Sequence, residues 1–103
     1  MTTLETLKAA RKLISDPNNW IQKVLARDAL ENEVYPTHPE ATCFCMLGAL
    51  RKAVGDWESY EGPRKELMRG FPRFMSIGEF NDSHTHAEVL AAFDEAIKRW
   101  DAK

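Results

Sequence analysis

A chain of 103 residues, 44% of them apolar and 29% charged, has room for one hydrophobic core and one domain, and its composition is that of an ordinary globular protein. Its 14 basic and 16 acidic residues leave a formal net charge of −2, which excludes a general attraction to nucleic acid or to an anionic membrane. No apolar run is long enough to span a bilayer, and the N-terminus MTTLETLKAARK lacks the basic-then-apolar pattern of a secretion signal. The expected setting is the cytoplasm, with no membrane partner.

Thr2-Thr3-Leu4-Glu5 has the form of a capping box, a hydroxyl followed three residues later by a carboxylate. Leu4, Leu7, Ala10, Leu13 and Ile14 then recur at spacings of three and four, predicting an amphipathic helix from about Leu4 to Ser15. Asp16-Pro17-Asn18-Asn19 ends it with turn chemistry. The span 20–35 reads two ways. It is a small hairpin over the loop Asp28 to Glu31, or a helical turn followed by a loop.

Ala41 to Val54, ATCFCMLGALRKAV, is the stretch around which the chain is expected to be organised. Thr37 or His38 would cap it, Pro39 suits its first turn, and Glu40 suits the positive end of the helix dipole. A helix apolar on all sides must be covered on all sides. Cys45, Gly48 and Ala49 form a strip of small residues, and a mid-helix glycine costs about 1 kcal/mol against alanine, so Gly48 is expected to mark a close helix crossing. Cys43 and Cys45, two apart on a helix, diverge by roughly 200° and would stay reduced.

Gly55 is a plausible helix stop, followed by the polar loop DWESYEG with Trp57 and Tyr60. Pro63 opens a short helix, PRKELMRGF. Phe74, Ile77 and Phe80, three apart, suggest one or two helical turns leading into a tight turn at Asn81-Asp82. Thr85-His86-Ala87-Glu88 repeats the capping box and opens a last helix, whose stripe is Val89, Leu90, Phe93, Ile97 and Trp100. Phe93 and Trp100 suit a core or a dimer interface equally, so monomer and homodimer both stand. The expected fold is mainly α, a compact domain around a central buried helix, with a small β-hairpin where 20–35 is extended.

The order of these pieces resembles a known family. They are the leucine-rich first helix closed by Asp16-Pro17, then Trp20, then Cys45-Met46-Leu47-Gly48-Ala49-Leu50, Asn81-Asp82, and Thr85 with Glu88-Val89. The family is an uncharacterised one of small bacterial and phage proteins with a W-C-x-x-G-A-L segment and a later N-D turn. Phe44 stands where the family pattern has tryptophan, and the loop after Asp28 lacks its glycine. The resemblance implies a fold and no activity.

Four constellations could carry chemistry. Cys43 or Cys45 as nucleophile, with His84 or His86 as base and Asn81 or Asp82 as orienter, would make a small thiol-dependent or hydrolytic enzyme, above all as Cys43, His84 and Asp82. Two cysteines in an apolar helix are more simply core residues. A metal set from His38, Cys43, Cys45, His84 and His86 lacks a helical i, i+4 pair, and no metal or other cofactor is expected. Asn81, Asp82 and His84 beside Trp20 or Trp57 would form a polar binding site with an aromatic wall, although turn chemistry alone explains Asn and Asp there. Arg64 to Arg73, RKELMRGFPR, could hold phosphate or nucleic acid, but solvated helix charges explain it as well. The shortage of catalytic groups favours a binding or accessory module with a protein partner, an inhibitor or regulator of phage or bacterial origin, over an enzyme.

Overall fold

The computed structural model describes residues 2–55 and 60–102. Among them are five α-helices and one small antiparallel sheet: α1 (Thr3–Leu13), β1 (Ala26–Asp28), β2 (Ala41–Phe44), α2 (Met46–Val54), α3 (Glu61–Met68), α4 (Ile77–Ser83) and α5 (His86–Asp101). A 3₁₀ turn, Pro17–Asn19, follows α1 and is capped by the Asp16 carboxylate accepting from the Asn18 N–H. The architecture is mainly α with a two-stranded sheet, as the patterning predicts.

Local chemistry starts three helices. Thr2, Ser76 and Thr85 each accept from the backbone N–H three residues on, and Glu5, Glu79 and Glu88 each return a carboxylate to the cap's own N–H. Each exchange satisfies two of the amide groups that a helix start leaves bare. α1 then buries Leu7 and Ala10, with Ile14 at its end, and packs against α2, α5 and α3. Val89, Phe93 and Ala96 of α5 meet it from one side, and Met46, Ala49 and Leu50 of α2 from another. Phe93 is therefore core, while Trp100 is only half-buried. Inside the α3–α5 contact Glu66 is buried at 2% exposure. It is held by Arg99 Nε at 3.2 Å and Arg69 Nε at 3.4 Å, a pairing that a buried carboxylate requires.

Two expectations are corrected, the start of the central helix and the turn at Asn81-Asp82, and a third is extended. The central helix does not begin near Pro39: Ala41–Phe44 is a strand, Cys45 is the N-cap, and the helix starts at Met46. The strand is imposed by distant partners. Ala26 and Arg27 pair with Phe44 and Cys43, Ile21 N–H donates to the Phe44 carbonyl at 3.1 Å, and Cys45 N–H donates to the Leu25 carbonyl at 3.2 Å. The two cysteines are both free, but because one lies on a strand and the other caps a helix. The arms of the expected hairpin over Asp28 to Glu31 do meet, through one antiparallel bridge between Arg27 and Glu33, while β1 takes the more distant β2 as its strand partner. Residues 32–35 lie along the other side of β1, through Asp28 N–H to the Asn32 carbonyl and Val34 N–H to the Ala26 carbonyl. Finally, Asn81 and Asp82 are not a turn: both lie inside α4, which closes only at His84.

Gly48 does mark a close approach, to a backbone segment and not to a helix. A Cβ at Gly48 would sit 1.9 Å from the Leu25 carbonyl oxygen, the same oxygen that accepts from Cys45 N–H.

Candidate functional site

Of the predicted site residues, Trp20, Asn81, Asp82 and His84 come together, and Trp57 lies outside the described residues. α4 presents Asn81 inward, fully buried. Its Oδ1 accepts from Trp20 Nε1–H at 2.7 Å and from Met46 N–H at 3.0 Å. Its Nδ2 donates to the Ile21 carbonyl at 3.1 Å and to Asp82 Oδ1 at 3.2 Å. A carboxamide has two lone pairs and two N–H groups, so all four positions are filled. Met46 is the first residue of α2, and its N–H is one of the groups that a helix start leaves bare. Asn81 thus caps α2 from another helix. Cys45 shares the work, its Sγ accepting from Gly48 N–H at 3.3 Å.

Asp82 extends the clasp outward. Its Oδ1 accepts from Lys23 N–H at 2.9 Å, where Lys23 has a positive φ of 77°. Gln22 Nε2 donates to the Asn81 and His84 carbonyls at 3.0 and 3.2 Å. Strand-loop 20–23 is therefore sewn to α4 along its whole length. His84 points its Nδ1 at the Phe80 carbonyl, 2.8 Å away. The Ser83 hydroxyl lies 3.0 Å from the same nitrogen. The ring lies flat on Phe80 at 3.8 Å, and Phe80 in turn on Phe71 at 4.2 Å. His86 Nε2 bonds the Ile14 carbonyl at 2.7 Å, tilted against Trp20.

The proposed nucleophile set is not assembled. Cys43 Sγ contacts the Asn18 carbonyl and the Thr42 hydroxyl, and no hydrogen bond among the described residues joins it to His84 or Asp82. Cys45 is the cysteine beside Asp82, across a cavity of about 190 Å³ that Lys23, Glu33 and Leu47 also line. Burial pushes its thiol pKa up, and the Asp82 carboxylate adds to that against the lowering pull of the Gly48 amide. A thiol held in its neutral form is a poor nucleophile. Among the described residues no three of His, Cys, Asp and Glu converge as metal ligands. In the basic stretch, Arg64 is bound to the Glu61 carboxylate at 2.8 and 2.9 Å and Arg69 lies against Glu66. The positive charge read from Arg64 to Arg73 is therefore partly cancelled.

A family model matches residues 1–99. The chain belongs to DUF6197, a family of unknown function. No curated protein and no solved structure matches it. Of the pieces that carry the resemblance to a family, three meet at the Asn81 clasp: Trp20, Met46 within the segment Cys45 to Leu50, and Asn81-Asp82 itself.

The sequence reading missed three large apolar side chains that the fold leaves exposed. Leu30, Tyr35 and Phe74 are 82%, 80% and 90% exposed. Phe74 does not continue the Ile77–Phe80 stripe. It sits before α4 at φ 67°, with the Arg73 guanidinium 5.3 Å from its ring centre. Leu30 and Tyr35 share the β1–β2 connection, and Leu30 is held out by a stiff turn. The Asp28 Oδ1 accepts from Leu30 N–H and Asn32 N–H, each at 2.9 Å, and Arg27 Nη1 donates to the Glu31 carbonyl at 2.9 Å. These bonds, the Asn32 amide first, hold the Asp28 pKa below the usual carboxylate range. The signal present in the sequence was Asp28 and Asn32 bracketing a leucine, a turn whose middle did not need an apolar residue.

Among the described residues no helix is long and apolar enough to cross a membrane.

Proposed function

We propose that the chain is a small accessory or inhibitory module that acts on a protein partner, and that the β1–β2 connection carrying Leu30 and Tyr35 is its contact surface. The observation that carries this reading is the hydrogen-bonded turn that exposes Leu30. A backbone already held in place loses little conformational freedom on binding, so an exposed leucine presented on it, with a tyrosine nearby in the chain, suits an interface anchor. The filled valences of Asn81 and the raised pKa of Cys45 support the same reading over a thiol enzyme. A bacterial or phage origin is supported by the family resemblance, and a reducing, cytoplasmic setting by two free cysteines.

The test is quantitative capture from bacterial host extract by the wild-type chain, by the double variant Leu30→Ser/Tyr35→Ser, and by Lys8→Ser on the exposed side of α1. A protein retained by wild type and Lys8→Ser but lost by the double variant supports the proposal. Equal retention by all three overturns it, as does no retention by any.

A further inference from the structure

Residues 32–35 lie at an open edge of the sheet, and the chemistry of that edge specifies what can lie on it. Val34 N–H and the Asn32 carbonyl point inward to β1. By the alternation of an extended chain, the Glu33 N–H, the Glu33 carbonyl and the Tyr35 N–H point away from β1. None of these three meets a partner among the described residues, and the edge ends at Pro36, while the opposite side of β2 is already bridged by Trp20. Beside the edge runs a groove of about 310 Å³ lined by Leu25, Glu33, Val34 and Tyr35.

We infer that this edge accepts an extended segment of a partner protein by strand addition, with apolar residues alternating with basic ones. The inference rests on the interaction reading above and specifies the partner's form. An extended backbone satisfies the three outward backbone groups together. The Glu33 carboxylate is exposed, with no ion pair among the described residues, so the residue opposite it is Lys or Arg. Val34, one residue on and on the other face, meets the residues of the other phase. Antiparallel pairing of two copies centred on Glu33 sets two carboxylates face to face. Pairing centred on Val34 joins Tyr35 N–H to the Glu33 carbonyl twice, so self-association is the competing outcome, and a dimer of the chain alone that Glu33→Lys leaves intact and Tyr35→Pro abolishes would overturn the inference.

The probe is a displayed library of heptapeptides in which basic and β-branched residues alternate, selected on the full chain and followed by anisotropy with the winning peptides. Glu33→Pro removes the central outward N–H without touching a bond to β1, and is expected to weaken binding about tenfold with an unchanged melt. Glu33→Lys keeps the N–H and is expected to shift selection toward acidic peptides. Methylating alternate peptide nitrogens in one phase should abolish binding, and in the other phase leave it. If no peptide is selected, or if binding ignores both Glu33 variants and the methylation phase, strand addition is refuted. Should the host protein still be captured through Leu30 and Tyr35, the interaction reading survives that refutation.

Discussion

Replacing Asn81 tests whether this residue is the clasp of the fold. Asn81→Leu keeps the volume close and removes every polar atom. It leaves Trp20 Nε1–H, Met46 N–H and the Ile21 carbonyl without the partners they now have at 2.7, 3.0 and 3.1 Å. Each buried group stripped of its partner costs about 1–3 kcal/mol, and burying leucine in place of the amide returns about 2 kcal/mol at most, so a net loss of about 3 kcal/mol is expected. For a chain of this size that is a fall in Tm of roughly 12 °C or more. Asn81→Asp separates the two halves of the amide. It keeps the acceptor for Trp20 and Met46 but turns an oxygen toward the Ile21 carbonyl and the Asp82 carboxylate. The introduced carboxyl would have a folded pKa raised above its unfolded value. This variant therefore loses stability at neutral pH and recovers toward wild type as pH falls through that raised pKa. Urea unfolding followed by circular dichroism at pH 7 and pH 5 reads both variants. A loss below about 1 kcal/mol for Asn81→Leu would refute the clasp, since that is less than one orphaned group should cost.

Gly48→Ala gains about 1 kcal/mol of helix propensity but forces a methyl group into the Leu25 carbonyl, so a net loss of about 2 kcal/mol is expected in a thermal melt; an unchanged or higher Tm would refute the close approach. Thr6 Oγ1 is buried without a hydrogen-bond partner among the described residues, and Thr6→Val, which keeps the shape, should raise stability by about 1 kcal/mol in urea. Asp28, Glu5 and Glu88 all have lowered pKa values, through backbone amides at Asn32, Thr2 and Thr85 respectively. Their contribution is present above the unfolded pKa and is lost as pH falls through the folded one. Amide protection factors at Leu30 and Asn32, exchange rates taken relative to the intrinsic rate at each pH, should therefore fall as acid protonates Asp28, and Asp28→Asn should flatten that dependence. Iodoacetamide at pH 8 should modify Cys45 only after denaturation; modification of the folded chain at the rate of a free thiol would show the thiol to be accessible.

Residues that act on near neighbours were readable in the chain. Thr2 with Glu5 and Thr85 with Glu88 set helix starts through bonds spanning three residues, and the stripes behind them pointed to the buried faces of α1 and α5. Ser76 with Glu79 has the same form and was hidden by the aromatic residues around it, which suggested a stripe through Phe74 that the backbone breaks. The site was legible only as a list of residues. Trp20, Asn81, Asp82 and His84 do gather, but the role of Asn81 depends on Met46 and Ile21, 35 and 60 positions away.

By itself, then, the sequence determined the helical class, two of the capped starts and the apolar faces, because capping and periodicity act within one or two turns. The tertiary structure decided that Ala41–Phe44 is a strand, that Cys45 caps a helix, that Gly48 makes room for the Leu25 carbonyl, and which sheet edge stays open. A short apolar run satisfies either a helix or a strand. Only the distant backbone groups that pair with it choose between them.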